Sequence, residues 1–202
     1  MSNMDKQELD IISYKLHNHG VIAFPTETVF GLGIAFNDEE AYKRMSFIKR
    51  RPENKPYTLM LSKVEDIEKY AYLNDTSRKI IKKFMPGAVT VLLKVKDNVP
   101  AHVTLNTGVI GIRVPDFDIP LEIINRVGFP LLVPSANRSG EKPCMSSLEC
   151  EETFYGELDY IVEGKALGGL PSTIIDLTQE GFKIIREGPI KEKDILEALE
   201  ER

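Results

Sequence analysis

The chain is divided into short runs of β-branched and other apolar residues, and most of these runs end at Gly, Pro, Asn or Asp. Runs bounded in this way predict β-strands. Two of them lie early in the chain, at 21–24 and 57–61. The others lie at 89–95, 109–114, 131–133, 160–162, 172–177 and 183–186. The chain is therefore predicted to fold around a β-sheet.

Helical patterns occur between these runs. Apolar residues three and four apart predict a helix from about Asp5 to His19, with Gly20 as the glycine that ends it. Two capping-box spacings predict further helix starts, at Asn37 with Glu40 and at Ser62 with Glu65. Further helices are predicted over residues 75–84, 119–126 and 192–201, and the helix that starts at Asn37 is predicted to end at Lys49. Because helices and strands alternate without a regular βαβ period, the predicted class is α/β, with helices packed on a twisted sheet of mixed parallel and antiparallel strands.

Length and charge limit the kinds of function. The 202 residues are predicted to form one domain over 1–202, large enough to bury its own core. The chain has 26 Lys and Arg against 31 Asp and Glu, a net charge of −5. This balance argues against a nucleic-acid-binding protein with a wholly basic surface, so any anionic ligand must meet a local cluster of cations.

The sequence also gives expectations about compartment, membrane and metal. No apolar stretch is long enough for a membrane span, and the polar N-terminus lacks a signal-peptide core. Cys144 and Cys150 do not have the spacing of a zinc or redox motif, which favours a reducing cytoplasm. The three histidines have no metal-ligand spacing. We therefore expect a cytoplasmic protein without a membrane segment or a protein-bound metal.

A first polar cluster directly follows the run at 21–24. It contains Thr26, Glu27 and Thr28, and the paired glycines Gly31 and Gly33 come next. Hydroxyls and a carboxylate beside closely approaching backbone can hold a small polar ligand. The alternative is a structural turn with Thr28 as a cap. The Gly-x-Gly lacks the third glycine of a dinucleotide-binding fingerprint, which excludes that assignment.

A second cluster is cationic and follows the predicted helix that ends at Lys49. Four cations, Lys49, Arg50, Arg51 and Lys55, lie within seven residues. A helix C-terminus explains one or two of them. Lys49 and Arg51, two residues apart, can point to the same side of an extended segment and bind a polyphosphate. No P-loop sequence is present, so a nucleotide would be bound in another way.

A third cluster follows the run at 131–133. Ser135 and Asn137 supply neutral donors and acceptors suited to phosphate oxygens or a base edge, although Asn137 can equally be a plain turn residue. The Gly- and Pro-containing segment 138–147 behind them is predicted to be mobile.

Two arginines, Arg113 and Arg186, stand at the ends of apolar runs, each just before a proline or glycine turn. Their guanidinium groups suit a carboxylate or phosphate ligand, and the alternative for either is an internal ion pair. Ser172 and Thr173 add hydroxyls on a further run.

Taken in order, these motifs resemble one family over about residues 20–189. They are Thr-Glu-Thr-Val-Phe-Gly-Leu-Gly at 26–33, the Lys-x-Arg of Lys49 and Arg51, Ile-Arg-Val-Pro around Arg113, the Ser-x-Asn of Ser135 and Asn137, Pro-Ser-Thr-Ile-Ile-Asp at 171–176, and Arg-x-Gly-Pro at Arg186. The set resembles the threonylcarbamoyl-AMP synthase family, YrdC/Sua5, in its short single-domain form.

The resemblance implies a YrdC-like fold with a central, positively charged cavity. It also implies an enzyme that forms threonylcarbamoyl-AMP and pyrophosphate from L-threonine, bicarbonate or CO2, and ATP with Mg²⁺, for the t6A modification of adenosine 37 in tRNA. The implied partners are a downstream threonylcarbamoyl transferase complex and, weakly, tRNA or double-stranded RNA.

Site roles follow from the same resemblance. Lys49 and Arg51 are expected to be catalytic, by stabilising charge on the phosphates. The residues expected to bind ATP are Lys49, Arg51, Lys55, Ser135, Asn137 and Arg186. Those expected to bind threonine are Thr26, Thr58, Arg113, Val133 and Ser172, with Arg113 on the carboxylate. Glu27 is an alternative ligand for Mg²⁺ or for the threonine amine.

Three positions depart from the family pattern. Phe30 stands where Tyr is usual, Cys144-Met145 replaces a frequent Ser-Pro, and Thr58-Leu59-Met60 differs from the frequent Ile-Val-His. The last segment also resembles a paralogous branch of unclear function, which usually lacks the Ser-x-Asn pair present here. Two other functions stay open: a carbamoyl-adenylating paralogue and a double-stranded-RNA-binding module.

Overall fold

The computed structural model describes residues 4–52 and 55–200. The strands of this part are β1 (Ile22–Phe24), β2 (Gly31–Ala35), β3 (Leu59–Met60), β4 (Val89–Lys94), β5 (Val109–Arg113), β6 (Leu131–Leu132), β7 (Tyr160–Ile161), β8 (Thr173–Asp176) and β9 (Lys183–Arg186). The helices are α1 (Lys6–His17), α2 (Glu39–Lys49), α3 (Ile67–Tyr70), α4 (Asp75–Phe84), α5 (Ala101–Thr104), α6 (Asp118–Val127), α7 (Ser147–Thr153) and α8 (Glu192–Glu200). A single 3-10 turn, Val64–Asp66, precedes α3.

The described strands form one sheet in the order β7-β1-β2-β6-β3-β5-β4-β8-β9. The pairs β1–β7, β3–β5 and β4–β8 are parallel, and the other neighbouring pairs are antiparallel. The predicted mixed sheet covered by helices is therefore confirmed. Strands that are distant in the sequence become neighbours, so the polar clusters that follow them can meet.

Helices cover both faces of the sheet. On one face, Ile12 and Leu16 of α1 and Ile123 of α6 join Ile22 and Phe24 of β1 in a buried cluster. On the other face, residues of α2, α4 and α8 form the larger cluster together with Val21 and Ala23. Because successive side chains of a strand point to opposite faces, both faces of the 21–24 run are buried, which explains why it is apolar without alternation.

Strand β2 was not predicted from the sequence. Its Gly-Leu-Gly beginning lacks the side chains that indicate a strand. Glycine is required at both positions because side chains of other segments lie close to the backbone of β2. A Cβ at Gly33 would lie 2.6 Å from a ring carbon of Phe24, and one at Gly31 would lie 2.7 Å from Cγ1 of Val133.

Several helix ends differ from the predictions. Helix α1 ends at His17, and the residue with positive φ is His19, not Gly20. Gly20 is required because a Cβ there would lie 2.5 Å from the carbonyl oxygen of Lys15. The N-cap of α2 is Asp38, whose carboxylate accepts a hydrogen bond from the backbone N–H of Ala41, so the predicted Asn37–Glu40 box is off by one residue.

The second predicted capping box, at Ser62 and Glu65, is wrong. The 3-10 turn there follows Lys63, which provides no side-chain cap. A capping box does occur at α4, between Asn74 and Ser77, where the sequence analysis proposed none.

Two predictions extend past the described residues. The helix predicted to reach position 201 is described to Glu200, and the single domain over 1–202 includes both ends of the chain. Within the described residues, no helix is long and apolar enough to cross a membrane.

Candidate active site

A cleft of about 190 Å³ lies against the strands β3, β5, β4 and β8. Strand interiors line it as well as strand ends, since Thr90, Leu92 and Gly111 take part. Three arginines line it, Arg51, Arg113 and Arg186, and no acidic residue does so in the described chain. Its hydroxyl groups come from Thr26, Thr28, Tyr57, Thr58, Thr90, Ser135 and Ser172. Guanidinium and hydroxyl groups without a carboxylate favour an anionic or zwitterionic ligand.

The first polar cluster forms one wall of this cleft, in the loop between β1 and β2. The Thr26 hydroxyl donates to the carbonyl oxygen of Val29 (2.7 Å), and its oxygen accepts from the backbone N–H of Thr28 (3.1 Å). The two threonine hydroxyls are themselves 2.8 Å apart. Both residues are buried. These bonds hold the loop in a fixed turn, and the same residues line the cleft. The cluster can therefore be a structural turn and part of a ligand site at once.

Arg113 stands at the end of β5 and is 6% exposed. Its Nε donates to the carbonyl oxygen of Gly87 (3.2 Å), and its Nη1 donates to the Thr28 hydroxyl (3.0 Å). Its Nη2 lies 2.8 Å from Oε1 of Glu27. This contact is an ion pair without hydrogen-bond alignment, so no described residue accepts an aligned hydrogen bond from Nη2. Arg113 thus combines the internal ion pair and the cleft position that the sequence analysis treated as alternatives.

Arg186 and Ser172 form another part of the cleft lining. Nη2 of Arg186 donates to the carbonyl oxygen of Ser172 (2.7 Å) and to its hydroxyl (3.2 Å). The Ser172 hydroxyl also lies 2.8 Å from that of Thr90 on the neighbouring strand β4. Partial burial and the positive charge of Arg113 lower the pKa of Arg186. Because arginine still stays protonated, Arg186 contributes positive charge to the cleft lining.

Arg51 follows α2, which ends at Lys49 with Arg50 in the left-handed conformation (φ 49°). Its guanidinium donates to the carbonyl oxygens of Lys55 (2.8 Å) and Pro56 (2.9 Å). It also lies over the ring of Tyr57, 4.7 Å from the ring centroid. Lys55 is exposed and is not part of the cleft lining. Its backbone, rather than its side chain, contributes to the site.

Lys49 is almost fully buried, at 1% exposure. Its ammonium donates to the carbonyl oxygens of Ser135 (2.6 Å) and Asn137 (2.7 Å), with Oδ1 of Asn137 at 3.5 Å. Burial, with the charge of Arg51 nearby, lowers the pKa of Lys49 to about 7. The predicted extended segment that points Lys49 and Arg51 to the same side is wrong, because Lys49 is helical and Arg50 turns the chain.

Hydrogen bonds of its own side chains also stabilise the Ser135–Asn137 segment. The Ser135 hydroxyl donates to Oδ1 of Asn137 (2.6 Å), and Nδ2 of Asn137 donates to the carbonyl oxygens of Arg138 (2.8 Å) and Glu141 (2.9 Å). Ser135 lines the cleft, whereas Asn137 and Lys49 lie behind it. The amide of Asn137 is therefore used to shape the loop.

The three departures from the family pattern lie in the cleft lining or next to it. Phe30 and Met60 line it directly. Cys144 is buried behind it, where its N–H donates to the carbonyl oxygen of Ala136 (2.8 Å) and its own carbonyl accepts from Phe30 (3.0 Å). Cys144 therefore joins the two loops on either side of the Gly31–Ser135 bridge.

The structure brings together most of the predicted site residues. Those in the cleft lining are Thr26, Arg51, Thr58, Arg113, Val133, Ser135, Ser172 and Arg186, and those outside it are Lys49, Lys55 and Asn137. Tyr57 and Thr90 also line the cleft, although neither was predicted from the sequence as a site residue. Thr90 lies inside an apolar strand, and only the pairing of β4 with β8 brings it to Ser172.

Comparisons with known proteins agree on one family. A family model for Sua5, YciO and YrdC, described as "Telomere recombination", matches residues 15–188. A protein of Methanocaldococcus jannaschii is 36% identical over 186 residues, which cover 92% of this chain and 87% of that protein. A threonylcarbamoyl-AMP synthase of Pyrococcus abyssi is 33% identical over 183 residues, which cover 90% of this chain and 54% of the relative.

Solved structures give the same result. The crystal structure of P. abyssi Sua5 complexed with L-threonine superposes with a TM-score of 0.93 and 30% identity, covering 99% of this chain and 59% of that one. Escherichia coli YciO superposes with a TM-score of 0.88 and 27% identity, covering 96% and 95% of the two chains. This chain therefore spans little more than half of the Sua5 protein but nearly all of YciO.

Proposed function

This chain belongs to the Sua5/YciO/YrdC family, and on that premise we propose that it is an L-threonylcarbamoyladenylate synthase. The reaction joins L-threonine, bicarbonate or CO2, and ATP, and it releases threonylcarbamoyl-AMP and pyrophosphate. As a nucleotidyltransferase it would supply an activated threonylcarbamoyl group to the t6A modification of tRNA. The names of the P. abyssi proteins, a threonylcarbamoyl-AMP synthase and a Sua5 that binds L-threonine, support the proposal.

The observation that carries the proposal is the position of Arg113, a buried arginine in the cleft lining whose Nη2 has no aligned hydrogen-bond acceptor. Nη2 of this guanidinium is ion-paired with Oε1 of Glu27 at 2.8 Å, but among the described residues it has no acceptor in hydrogen-bond geometry. Glu27 offsets the charge of Nη2 but leaves an N–H without an aligned acceptor, and a carboxylate is the acceptor that a guanidinium fits best. We assign the α-carboxylate of threonine to Arg113, with the hydroxyls of Thr26 and Ser172 as neighbouring polar groups.

The nucleotide is assigned to the rest of the lining. Arg51, Arg186 and the Ser135 hydroxyl lie in the same cleft as Arg113, so phosphates bound by them would be close to the bound amino acid. Because the proposed reaction places negative charge on phosphate oxygens throughout, fixed cations would stabilise the transition state more than the ground state.

The chemistry needs positioning more than it needs a catalytic base. The threonine ammonium first loses a proton to solvent; the free amine then adds to CO2 and releases a second proton to solvent, which gives a carbamate. An oxygen of this carbamate then forms a bond to the α-phosphorus, and the bond to pyrophosphate breaks. Holding both substrates in one cleft lowers the barrier by fixing their distance and orientation.

The residues of the cleft fit a Mg²⁺ ion held mainly by the nucleotide. The lining offers hydroxyl oxygens, and none of its described residues is a carboxylate. Magnesium sites of this kind rely on substrate phosphates rather than on a protein cage. When bound, the ion would neutralise charge on the phosphate oxygens.

Lys49 and Asn137 are assigned a role behind the cleft. Lys49 draws the carbonyl oxygens of Ser135 and Asn137 toward one ammonium. This arrangement would orient the Ser135 hydroxyl and the adjacent backbone toward the phosphates. The expected contribution of Lys49 to catalysis would thus act through the loop.

A second candidate is a member of the paralogous branch that the segment Thr58-Leu59-Met60 resembles, with a substrate other than threonine. The observation that favours it is the fit to E. coli YciO over nearly the full length of both chains, together with Met60 in the cleft lining. The carbamoyl-adenylating paralogue is a separate alternative, in which carbamoyl phosphate replaces threonine and bicarbonate and gives a carbamoyl-adenylate. The same cleft suits both reactions, so substrate dependence must decide between them.

Release of pyrophosphate, with each substrate omitted in turn, tests the proposal. We expect release only when threonine, bicarbonate and ATP are all present. Release with carbamoyl phosphate and ATP alone would support the carbamoyl-adenylating paralogue. Salt-dependent binding of double-stranded RNA that survives Lys49→Ala together with Arg51→Ala, without pyrophosphate release, would support an RNA-binding module.

A further inference from the structure

Glu27 lies beside the cleft but is not part of its lining. Its Oε1 is 2.8 Å from Nη2 of Arg113 and accepts a hydrogen bond from the backbone N–H of Asp116 (3.0 Å). The Glu27 carboxylate therefore ties the loop between β1 and β2 to the segment that follows β5. The two contacts of Oε1 are thus with Arg113, at the end of β5, and with Asp116, three residues later.

The pair is largely shielded from water. The side chains of Arg113 and Glu27 are 8% and 14% exposed. Charges at this separation interact strongly when little water lies around them. Arg113 is the cation within ion-pair distance of Glu27 in the described chain, so the negative charge of Glu27 acts mainly on this guanidinium.

The charge balance of the cleft follows from this arrangement. Arg51 and Arg186 have no carboxylate within ion-pair distance in the described chain, whereas Arg113 does. The Arg113 subsite therefore carries a compensated charge, although Nη2 can still donate a hydrogen bond to a ligand. A ligand with one carboxylate and one ammonium suits such a subsite, and a dianion suits the Arg51 and Arg186 side better.

We propose that Glu27 is a positioning and specificity-determining residue, which fixes the Arg113 guanidinium and keeps phosphate out of the amino-acid subsite. The inference rests on the proposed function, because it assigns threonine to Arg113. In this view Glu27 divides a cleft with three arginines into an amino-acid half and a phosphate half. Without that division, phosphate would compete with the threonine carboxylate for Arg113.

Glu27→Gln tests the proposal, since glutamine keeps the size and can accept the Asp116 N–H but removes the charge. The measurements are calorimetric titrations of the full chain with L-threonine and with inorganic phosphate, and a titration with threonine in the presence of phosphate. We expect phosphate to displace threonine from the variant at a concentration about tenfold or more lower than from the wild type. A structural role alone would weaken both ligands alike and leave their ratio unchanged.

Two further variants complete the test. Glu157→Gln makes the same substitution in a glutamate that pairs with Arg138 outside the cleft, and we expect wild-type competition by phosphate. Glu27→Asp keeps the charge but shortens the reach, so it should weaken threonine binding without admitting phosphate. It also replaces Glu27→Gln as the deciding variant if the glutamine variant does not fold.

Different results would overturn this inference and the proposed function. An unchanged concentration of phosphate needed to displace threonine from Glu27→Gln would overturn the inference, as would a phosphate affinity of Glu27→Asp that is higher than that of the wild type. A wild-type protein that does not bind threonine would overturn the proposed function. In that case the titration with phosphate alone still tests the effect of Glu27 on Arg113. Equal affinities of the wild type and Glu27→Gln for phosphate would then overturn the inference as well.

Discussion

The ammonium of Lys49 lies 2.6 Å from the carbonyl oxygen of Ser135, and the two residues belong to different parts of the fold. Lys49 is the last residue of α2, whereas Ser135 follows β6 and pairs with Gly31 at the start of β2. One buried cation thus connects a helix end to a loop that lines the cleft. Its partners are neutral oxygens, so the contact orders backbone rather than balancing charge.

Lys49→Met should reduce the rate without unfolding the protein. Methionine fills most of the space of the lysine stem and removes the cost of burying a charge, which offsets part of the cost of losing the two hydrogen bonds. The loop would lose its shared donor, so we expect kcat for pyrophosphate release to fall roughly 100-fold. Lys43→Met is the matched control, because Lys43 lies exposed on the same helix and pairs with Glu39. Full activity in Lys49→Met would contradict the assigned role.

The stability of the protein should depend on pH through Lys49. Burial lowers the pKa of Lys49 from 10.5 to about 7, so between these values the unfolded chain holds a proton that the folded chain has lost. Over this range the free energy of unfolding rises with pH. Urea unfolding at pH 7 and pH 10 should therefore show the wild type gaining stability relative to Lys49→Met. The difference between wild type and Lys43→Met should not change in this direction.

The strands and their polar ends could be predicted because their pattern is local. Apolar runs that end at Gly or Pro identify strands, and the run at 183–186 matches β9. β2 could not be found in this way, since Gly31 and Gly33 carry no apolar side chain. The space that a side chain would need is filled by Val133 and Phe24, which are supplied by other segments.

Part of the site depends on contacts that no single segment encodes. The Lys-x-Arg motif marks Lys49 and Arg51 correctly as unusual, but their directions follow from the left-handed turn at Arg50. The same limit applies to Glu27, whose partner Arg113 is far away in the sequence. A motif therefore predicts which residues matter more reliably than it predicts what each of them contacts.

Arg113→Lys should weaken threonine binding more than it affects the nucleotide. Lysine keeps a positive charge beside Glu27, so the buried carboxylate is not left unpaired, as it would be in Arg113→Ala. The guanidinium fork is lost, and we expect the Kd for threonine to rise about tenfold or more. Calorimetry with threonine and with a non-hydrolysable ATP analogue measures both affinities. Arg126→Lys, on the surface beside Asp10, is the control, and a loss confined to the nucleotide would refute the division of the cleft.

Arg51→Ala should have the opposite selectivity. Arg51 lines the cleft and is held over Tyr57 by the carbonyl oxygens of Lys55 and Pro56, so its guanidinium is already oriented before a ligand binds. Its loss should raise the Kd of the ATP analogue about tenfold or more and leave the threonine affinity within about twofold.

Lys55→Ala separates the backbone role of Lys55 from the predicted ATP contact of its side chain. Its carbonyl still accepts from Arg51 in the variant, and its exposed side chain lies outside the cleft lining. We therefore expect an affinity for the ATP analogue within about twofold of the wild type, because an exposed lysine contributes little to a ligand that it does not contact. A loss as large as that of Arg51→Ala would mean that the Lys55 ammonium reaches the nucleotide when it binds, as the family resemblance implies.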